Sequence, residues 1–268
     1  MSNGRNGWDK PATPPRLRAG EVEVWRVDAC AVVHDCWRLL QPDETERARR
    51  IRAIVARAEF VAGRGVLRWL LACETGCDAR EVRLSAGEHG KLSIETVGIE
   101  FNVAHSKGMV LIALSRAGVA GIDIEHEDRE VEVLDVARGS FHADEVARLE
   151  RAGEAERAAV FYRCWTRKEA VVKADGRGLM LPLNSFSVGL DENPEGEWTV
   201  QIGGYPANQT SYYVRGLEVG DGLVAALALT RPDVQVAMHK FAAFSDLNRE
   251  VAPRVIVQRG GDLHPVTT

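Results

Sequence analysis

Residues 161–179 read FYRCWTRKEAVVKADGRGL. Laid on a helix, Phe161, Trp165, Glu169 and Lys173 recur every four residues and stack along one face. The upper half of that line is aromatic and requires a core. The lower half is a carboxylate and an ammonium, which do not. Val160, Cys164, Val171 and Val172 widen the apolar side, so Glu169 and Lys173 fall where buried helix meets something polar. Gly176 and Gly178 end the helix, as a glycine just past the last periodic residue does. In isolation, Glu followed by Lys at i+4 is also the favoured order for a surface ion pair worth about 0.2–0.5 kcal/mol. The pair takes its meaning from the rest of the chain.

Upstream, residues 119–125 read VAGIDIE. On a strand Ile122 and Ile124 face one way while Asp123 and Glu125 share the other face. Neighbouring carboxylates repel unless a cation lies between them, so the pair is either a solvated edge or a seat for a hard divalent cation such as Mg²⁺. Gly121, just before them, permits close backbone approach. Further upstream, FNVAHS (101–106) closes a strand with Asn102, His105 and Ser106. Gly87-Glu88-His89-Gly90-Lys91 is a turn that presents one lysine from a glycine-flanked loop, where backbone amides can hold phosphate.

Between Asp43 and Arg68 there are seven arginines against four acids, on two helical stretches opened by Pro42-Asp43 and stopped by Gly76. Ile51, Ile54, Val55 and Ala58 form one apolar stripe, and Phe60, Leu67, Leu70 and Leu71 the next. Most of these arginines cover a solvated face. Arg64 and Arg68 lie one turn apart among apolar neighbours and require an anion, either an internal carboxylate or a bound phosphate.

Around these motifs the periodicity predicts strands at 21–27, 81–84, 92–94, 100–104, 109–115, 119–125, 186–190, 198–201, 212–217 and 223–230. A weak helix runs through Val131, Val133, Leu134 and Val136, a second lies at 140–149, and a small one is expected at Phe241–Leu247. The order after the central helix resembles the order before Asp123, which suggests an α+β chain of two similar halves, 20–120 and 121–230. Residues 1–19 read as a mobile tail and 231–268 as a loosely ordered extension.

A hydrophobic content of 45% with 27% charge describes a soluble globular protein, and a net charge of −5 argues against bulk nucleic-acid binding. No apolar run approaches a membrane span and no signal core opens the chain. Five cysteines without CxxC spacing read as reduced thiols of a cytoplasmic protein rather than a disulfide frame or zinc site. No GxxxxGK[ST] or GxGxxG is present, so the common nucleotide-enzyme frameworks are missing.

FNVAHS, then GIDIE, then FYRCWTRKEAVVKADGRGL, in that order, resembles the Sfp-type 4′-phosphopantetheinyl transferases over roughly residues 40–190. The resemblance implies two α/β lobes related as a pseudo-repeat, with coenzyme A in the cleft between them. It implies Mg²⁺ on Asp123, Glu125 and Glu169, with Lys173 on the coenzyme A diphosphate. Lys91 and His105 fall on positions that hold the nucleotide end, and Arg47 and Arg68 near the family's basic positions. With Arg64 and Ser106 these complete the expected coenzyme A contacts. The family often has SHS where this chain has Ala104-His105-Ser106, and GKP where it has Gly90-Lys91-Leu92; neither departure touches a metal ligand.

The implied reaction is attack of an apo carrier protein's serine on the β-phosphorus of coenzyme A, with Asp123, Glu169 and Lys173 as the catalytic set and Glu169 as the base. The carrier is expected to dock beside Asp123 and residues 126–143, where Val131, Val133, Leu134 and Val136 offer apolar surface. Both lobes lie in one chain, so a monomer suffices. The alternative is a catalytically reduced module that binds coenzyme A or a nucleotide for regulation.

Overall fold

In a computed structural model, residues 8–11, 14–87, 90–94, 98–128, 132–190, 197–203, 209–220, 222–241 and 244 are described. The fold is mixed α/β. Two four-stranded sheets each carry a 22-residue helix on the outer face. The first sheet has the order β10-β1-β5-β4, with β1 Glu21–Asp28, β4 Glu100–Ser106, β5 Met109–Ser115 and β10 Gln235–Phe241. The second has the order β6-β9-β8-β7, with β6 Ala120–His126, β7 Glu197–Gly203, β8 Gln209–Leu217 and β9 Leu223–Leu229. A short hairpin joins β2 (Leu84–Ala86) to β3 (Leu92–Ile94).

The helices are α1 (Ala29–Cys36), α2 (Pro42–Arg50), α3 (Ile54–Thr75), α4 (Val133–Ser140), α5 (Ala143–Arg151) and α6 (Glu154–Asp175). Their ends follow the sequence. Asp28 caps α1 by accepting from the Cys30 and Ala31 amides. Gln41 and Glu44 form a reciprocal capping box in front of Pro42. Both 22-residue helices stop on a left-handed glycine, Gly76 at φ 75° and Gly176 at φ 85°, a conformation side chains resist.

Apolar side chains make three layers of core. Trp25, Val27, Leu67, Leu70, Ile112 and Phe241 pack α3 on the first sheet. Val22, Val24, Leu111, Ile122, Ile124 and Leu227 fill the space between the sheets. Phe161, Val171, Val200, Val214 and Ala228 pack α6 on the second sheet. Strands β1, β5, β6 and β9 are thus buried on both faces, which explains their nearly unbroken apolar runs.

Several expectations are corrected. Residues 231–241 are not loose, because β10 runs parallel to β1 from Glu21↔Gln235 to Val27↔Phe241. Trp8 and Asp9 lie on the far side of β10: the Asp9 amide donates to Met238 O and the Asp9 carbonyl accepts from the Lys240 amide. Leu17 is buried, so part of the expected tail is seated on the body. Residues 186–190 are not a strand. Side chains hold three of their backbone groups instead: Lys168 donates to Phe186 O (and to Leu183 O just before), Glu145 accepts from the Val188 amide, and Arg167 donates to Gly189 O. β2 begins at Leu84, where a strand over 81–84 was expected. Of the small helix expected at 241–247, Phe241 ends β10 and most of the remainder lies outside the described residues. Among the described residues no helix is long and apolar enough to cross a membrane.

Candidate active site

Strand β6 turns Ile122 and Ile124 into the layer between the sheets and Gly121, Asp123 and Glu125 toward α6. At Gly121 the two elements touch. A Cβ there would collide with Ala170 O and Ala174 N and lie 2.9 Å from Ala174 Cα. This contact places Lys173 beside Asp123, with Nζ 2.6 Å from Oδ1. The α6 line behaves as its spacing predicts. Phe161 and Trp165 stack with ring centroids 5.8 Å apart, and Phe141 packs on both at 5.2 and 6.1 Å. Aromatic contact thus anchors the upper half of the helix, and the lower half emerges into a cavity.

That cavity has a volume of about 520 Å³, a size that suits a small-molecule ligand. Glu169, Val172, Lys173 and Gly176 of the α6 segment form one wall, and Phe60, Gly63, Arg64 and Leu67 of α3 face them. Arg47, Glu59, Lys91, Asn102 and His105 complete its polar lining, with Glu59 Oε2 3.2 Å from His105 Nδ1. Lys91 reaches across and donates from Nζ to Ala174 O at 3.1 Å, a natural place for a cation at a helix C-terminus. Burial lowers the Lys91 pKa.

The expected site residues therefore divide. Arg47, Arg64, Lys91, His105, Glu169 and Lys173 share the cavity. Asp123 and Glu125 are not in its lining and sit behind Lys173 on β6. Ser106 braces rather than lines: its hydroxyl donates to Glu125 Oε2 at 3.3 Å and accepts from the His126 amide at 3.2 Å. Asn102 ties β4 to β6 by accepting the Ile122 amide at 3.0 Å.

Arg68 is a correction. It is buried, forks onto Glu44 at 2.7 and 3.1 Å, and donates to the carbonyls of Ala79 and Val82. An internal carboxylate answers its charge, which removes it from the ligand set. Arg64 lies only 3.8 Å from the same Glu44, whose oxygens Arg68 already holds. Arg47 and Arg64 flank the Phe60 ring at 5.0 and 5.6 Å. Burial lowers the Arg64 pKa; Glu44 opposes this while the Arg47 and Arg68 charges add to it. An incoming anion would relieve that strain.

The acids are perturbed in the other direction. Burial raises the Asp123 pKa, with Lys173 partly opposing. Burial and then the Asp123 charge raise both Glu125 and Glu169. Asp123 Oδ2 is buried with no hydrogen-bond partner among the described residues. Three mutually repelling carboxylates and one orphaned oxygen are hard oxygen donors, the ligand chemistry that a divalent cation takes. As placed, the Lys173 ammonium holds Asp123, and no three acid, His or Cys side chains among the described residues are grouped to grip a metal ion.

Some features escaped sequence reasoning. Glu59, Phe60 and Leu67 line the cavity; the available signal was an acid, Glu59, inside the apolar stripe of α3. Lys168, fully buried, pairs with Glu145 at 2.7 Å and so positions the segment after α6. On α4 the apolar face turns inward. Val133 is buried and Leu134 packs on the core, leaving Val136 exposed, while Val131 lies outside the described residues.

Comparison with known proteins agrees with this geometry. The family model described as the 4′-phosphopantetheinyl transferase superfamily matches residues 120–228, which run from the start of β6 almost to the end of β9. The 4′-phosphopantetheinyl transferase Sfp of Bacillus subtilis is 29% identical over 195 residues, covering 72% of this chain and 84% of that protein. The 4′-phosphopantetheinyl transferase HetI of Nostoc is 30% identical over 175 residues, 62% of this chain and 74% of its own. The 4′-phosphopantetheinyl transferase ffp of Bacillus subtilis is 30% identical over 192 residues, 71% and 82% respectively. The chain belongs to the 4′-phosphopantetheinyl transferase superfamily, and it is an enzyme of that class. These relatives give no support to a regulatory module without catalysis.

Proposed function

We propose that this enzyme moves the 4′-phosphopantetheine arm of coenzyme A onto a serine of an apo acyl or peptidyl carrier protein, releasing adenosine 3′,5′-bisphosphate. The observation that carries the reading is Glu169 and Lys173 on one wall of a cavity whose other walls present Arg47, Arg64, Lys91 and His105. That is a carboxylate and an ammonium beside a seat for several phosphates. The chain order supports two pseudo-repeated lobes with coenzyme A in the cleft between them. β1-α3-β4-β5 and β6-α6-β8-β9 follow the same sequence of elements, and the sheet neighbours β1-β5-β4 and β6-β9-β8 correspond.

Arg47, Arg64, Lys91 and His105 would neutralise the phosphates at the nucleotide end, and Lys173 the diphosphate. Asp123, Glu125 and Glu169 would hold Mg²⁺, with Lys173 releasing Asp123 Oδ1 to do so. When bound, the ion supplies charge neutralisation at the diphosphate. Glu169 accepts the serine proton; burial and the Asp123 charge raise its proton affinity, which suits a base better than an ordinary surface carboxylate. The carrier docks beside α4, where Val136 is the exposed apolar contact. One chain supplies every wall of the cavity, so a monomer suffices.

The test is to incubate the protein with coenzyme A, Mg²⁺ and apo carrier proteins of fatty-acid, polyketide and nonribosomal-peptide type, and to weigh each carrier by mass spectrometry. The expected result is a gain of one phosphopantetheine. No gain on any carrier overturns the reading. Glu169→Gln with full turnover would remove the base assignment alone.

A further inference from the structure

Glu59 is a buried carboxylate on α3 with no lysine or arginine within ion-pair distance among the described residues. Its two oxygens reach the same hairpin. Oε1 accepts the Gly108 amide at 2.6 Å, and Oε2 lies 3.2 Å from Nδ1 of His105. That hairpin is the two-residue turn Lys107-Gly108 between β4 and β5, with φ of 48° and 86°, a primed turn that leaves His105 and Ser106 at the strand's end. The His105 side chain is half-exposed and lines the cavity, and its other nitrogen, Nε2, makes no hydrogen bond to any described residue.

A carboxylate on one imidazole nitrogen decides which face of the ring is offered to a ligand. Holding the turn alone needs one oxygen and no charge. The second oxygen and the burial of Glu59 are accounted for by His105, the basic side chain within its reach. With a proton on each nitrogen the Glu59–His105 pair is neutral overall, so the buried carboxylate is compensated. The Nε2–H is then free to donate into the cavity.

We propose that Glu59 is a positioning residue for the cavity's anionic ligand: it takes the Nδ1–H of His105 and so presents Nε2 as a donor to a phosphate group. This rests on the reading of coenzyme A as the co-substrate. In this role Glu59 acts through His105.

The test compares wild type, Glu59→Gln, His105→Ala and the double variant in steady-state transfer with varied coenzyme A. The side-chain carbonyl introduced by Glu59→Gln would still accept the Gly108 amide, but without charge it cannot hold the doubly protonated ring. Glu59→Gln is expected to raise KM for coenzyme A roughly tenfold, the worth of one charge-assisted hydrogen bond, with kcat within about threefold of wild type. In the His105→Ala background the same change is expected to alter KM less than about twofold. An unchanged KM in Glu59→Gln overturns the proposal, and so does an effect that persists undiminished without His105, which would assign Glu59 to the turn. Long-range ¹H–¹⁵N spectra of His105 decide the point without turnover. With phosphate bound, wild type should carry a proton on both ring nitrogens, and a bare Nδ1 or a bare Nε2 overturns the proposal. Were wild type to transfer nothing, the functional reading would fall while the spectra still judged Glu59.

Discussion

Adding one methyl group at Gly121 separates the two halves of the proposed catalytic set without touching any member of it. A Cβ at this position lies 2.9 Å from Ala174 Cα and closer still to Ala170 O and Ala174 N. Carbon pairs sit best at about 3.5–4.0 Å, so β6 and α6 must part by roughly 1 Å. The obstacles are backbone atoms on a helix anchored by Phe161 and Trp165, which no rotamer change can clear. Overpacking of this kind costs about 1–3 kcal/mol, and here the upper end is expected. A domain with about 5–15 kcal/mol of stability stays folded after that loss. Asp123 and Glu125 on β6 nevertheless move away from Glu169 and Lys173 on α6, and a displacement of about 1 Å between reacting groups costs about a hundredfold in rate. Gly121→Ala should therefore show a lowered urea midpoint, an unchanged m value and a kcat/KM for carrier modification down by about two orders of magnitude. Gly139→Ala is the matched control for stability. Its added Cβ meets nothing within 4 Å, and replacing a helical glycine should raise stability by up to about 1 kcal/mol. Near-wild-type turnover in Gly121→Ala would refute the claim that this contact sets the register of the site. So would a loss matched by the unfolded fraction.

Glu23 gives a pH dependence of stability. Buried next to Trp25, whose indole donates to it at 3.0 Å, it has a pKa raised from 4.5 to about 7, chiefly by burial. The folded state holds this proton more tightly, so the associated stability is complete below pH 4.5 and is lost as pH rises through 7. Glu23→Gln should match wild type near pH 4 and exceed it by about 3 kcal/mol at pH 8 in urea titrations. A constant difference across that range would contradict the assignment. Lys168→Ala leaves Glu145 as an unpaired buried charge and frees the carbonyls of Leu183 and Phe186, so a loss of about 3–5 kcal/mol is expected by chemical denaturation. A loss under about 1 kcal/mol would mean the pair is not dry.

The site was legible in the sequence wherever chemistry and spacing lay close together along the chain. Phe161, Trp165, Glu169 and Lys173 needed only the helical period, and Asp123 with Glu125 only the strand period. Gly121 read as a close approach, and the α6 backbone is what approaches. Long-range pairing was not legible. Arg68 has the pattern of a ligand arginine, but its fork is closed by Glu44, 24 residues away, and only the fold brings them together. Residues 186–190 carry a strand pattern, yet Lys168, Arg167 and Glu145 capture their backbone before another strand can. Glu59 is one of four acids in an arginine-rich stretch; its burial follows from α3 meeting the β4–β5 turn. Of the expected coenzyme A contacts, Ser106 supports Glu125 from outside the cavity lining.

The parallel pairing of β10 with β1 has a consequence for how the molecule is made. The second sheet and α6 are continuous in the chain from 120 to 229, so that half has all its strands once residue 229 is free. The first sheet has three of its strands before residue 116, yet one side of β1 stays bare until 235–241 arrive. An open strand edge invites pairing with other chains. During synthesis the half that starts earlier is therefore the half that finishes later, and its exposed edge must wait while about 120 further residues are translated at about 5–20 per second. The interval between Ser115 and Gln235, several seconds long, is the period in which this protein is most open to capture by a chaperone or by a second nascent copy.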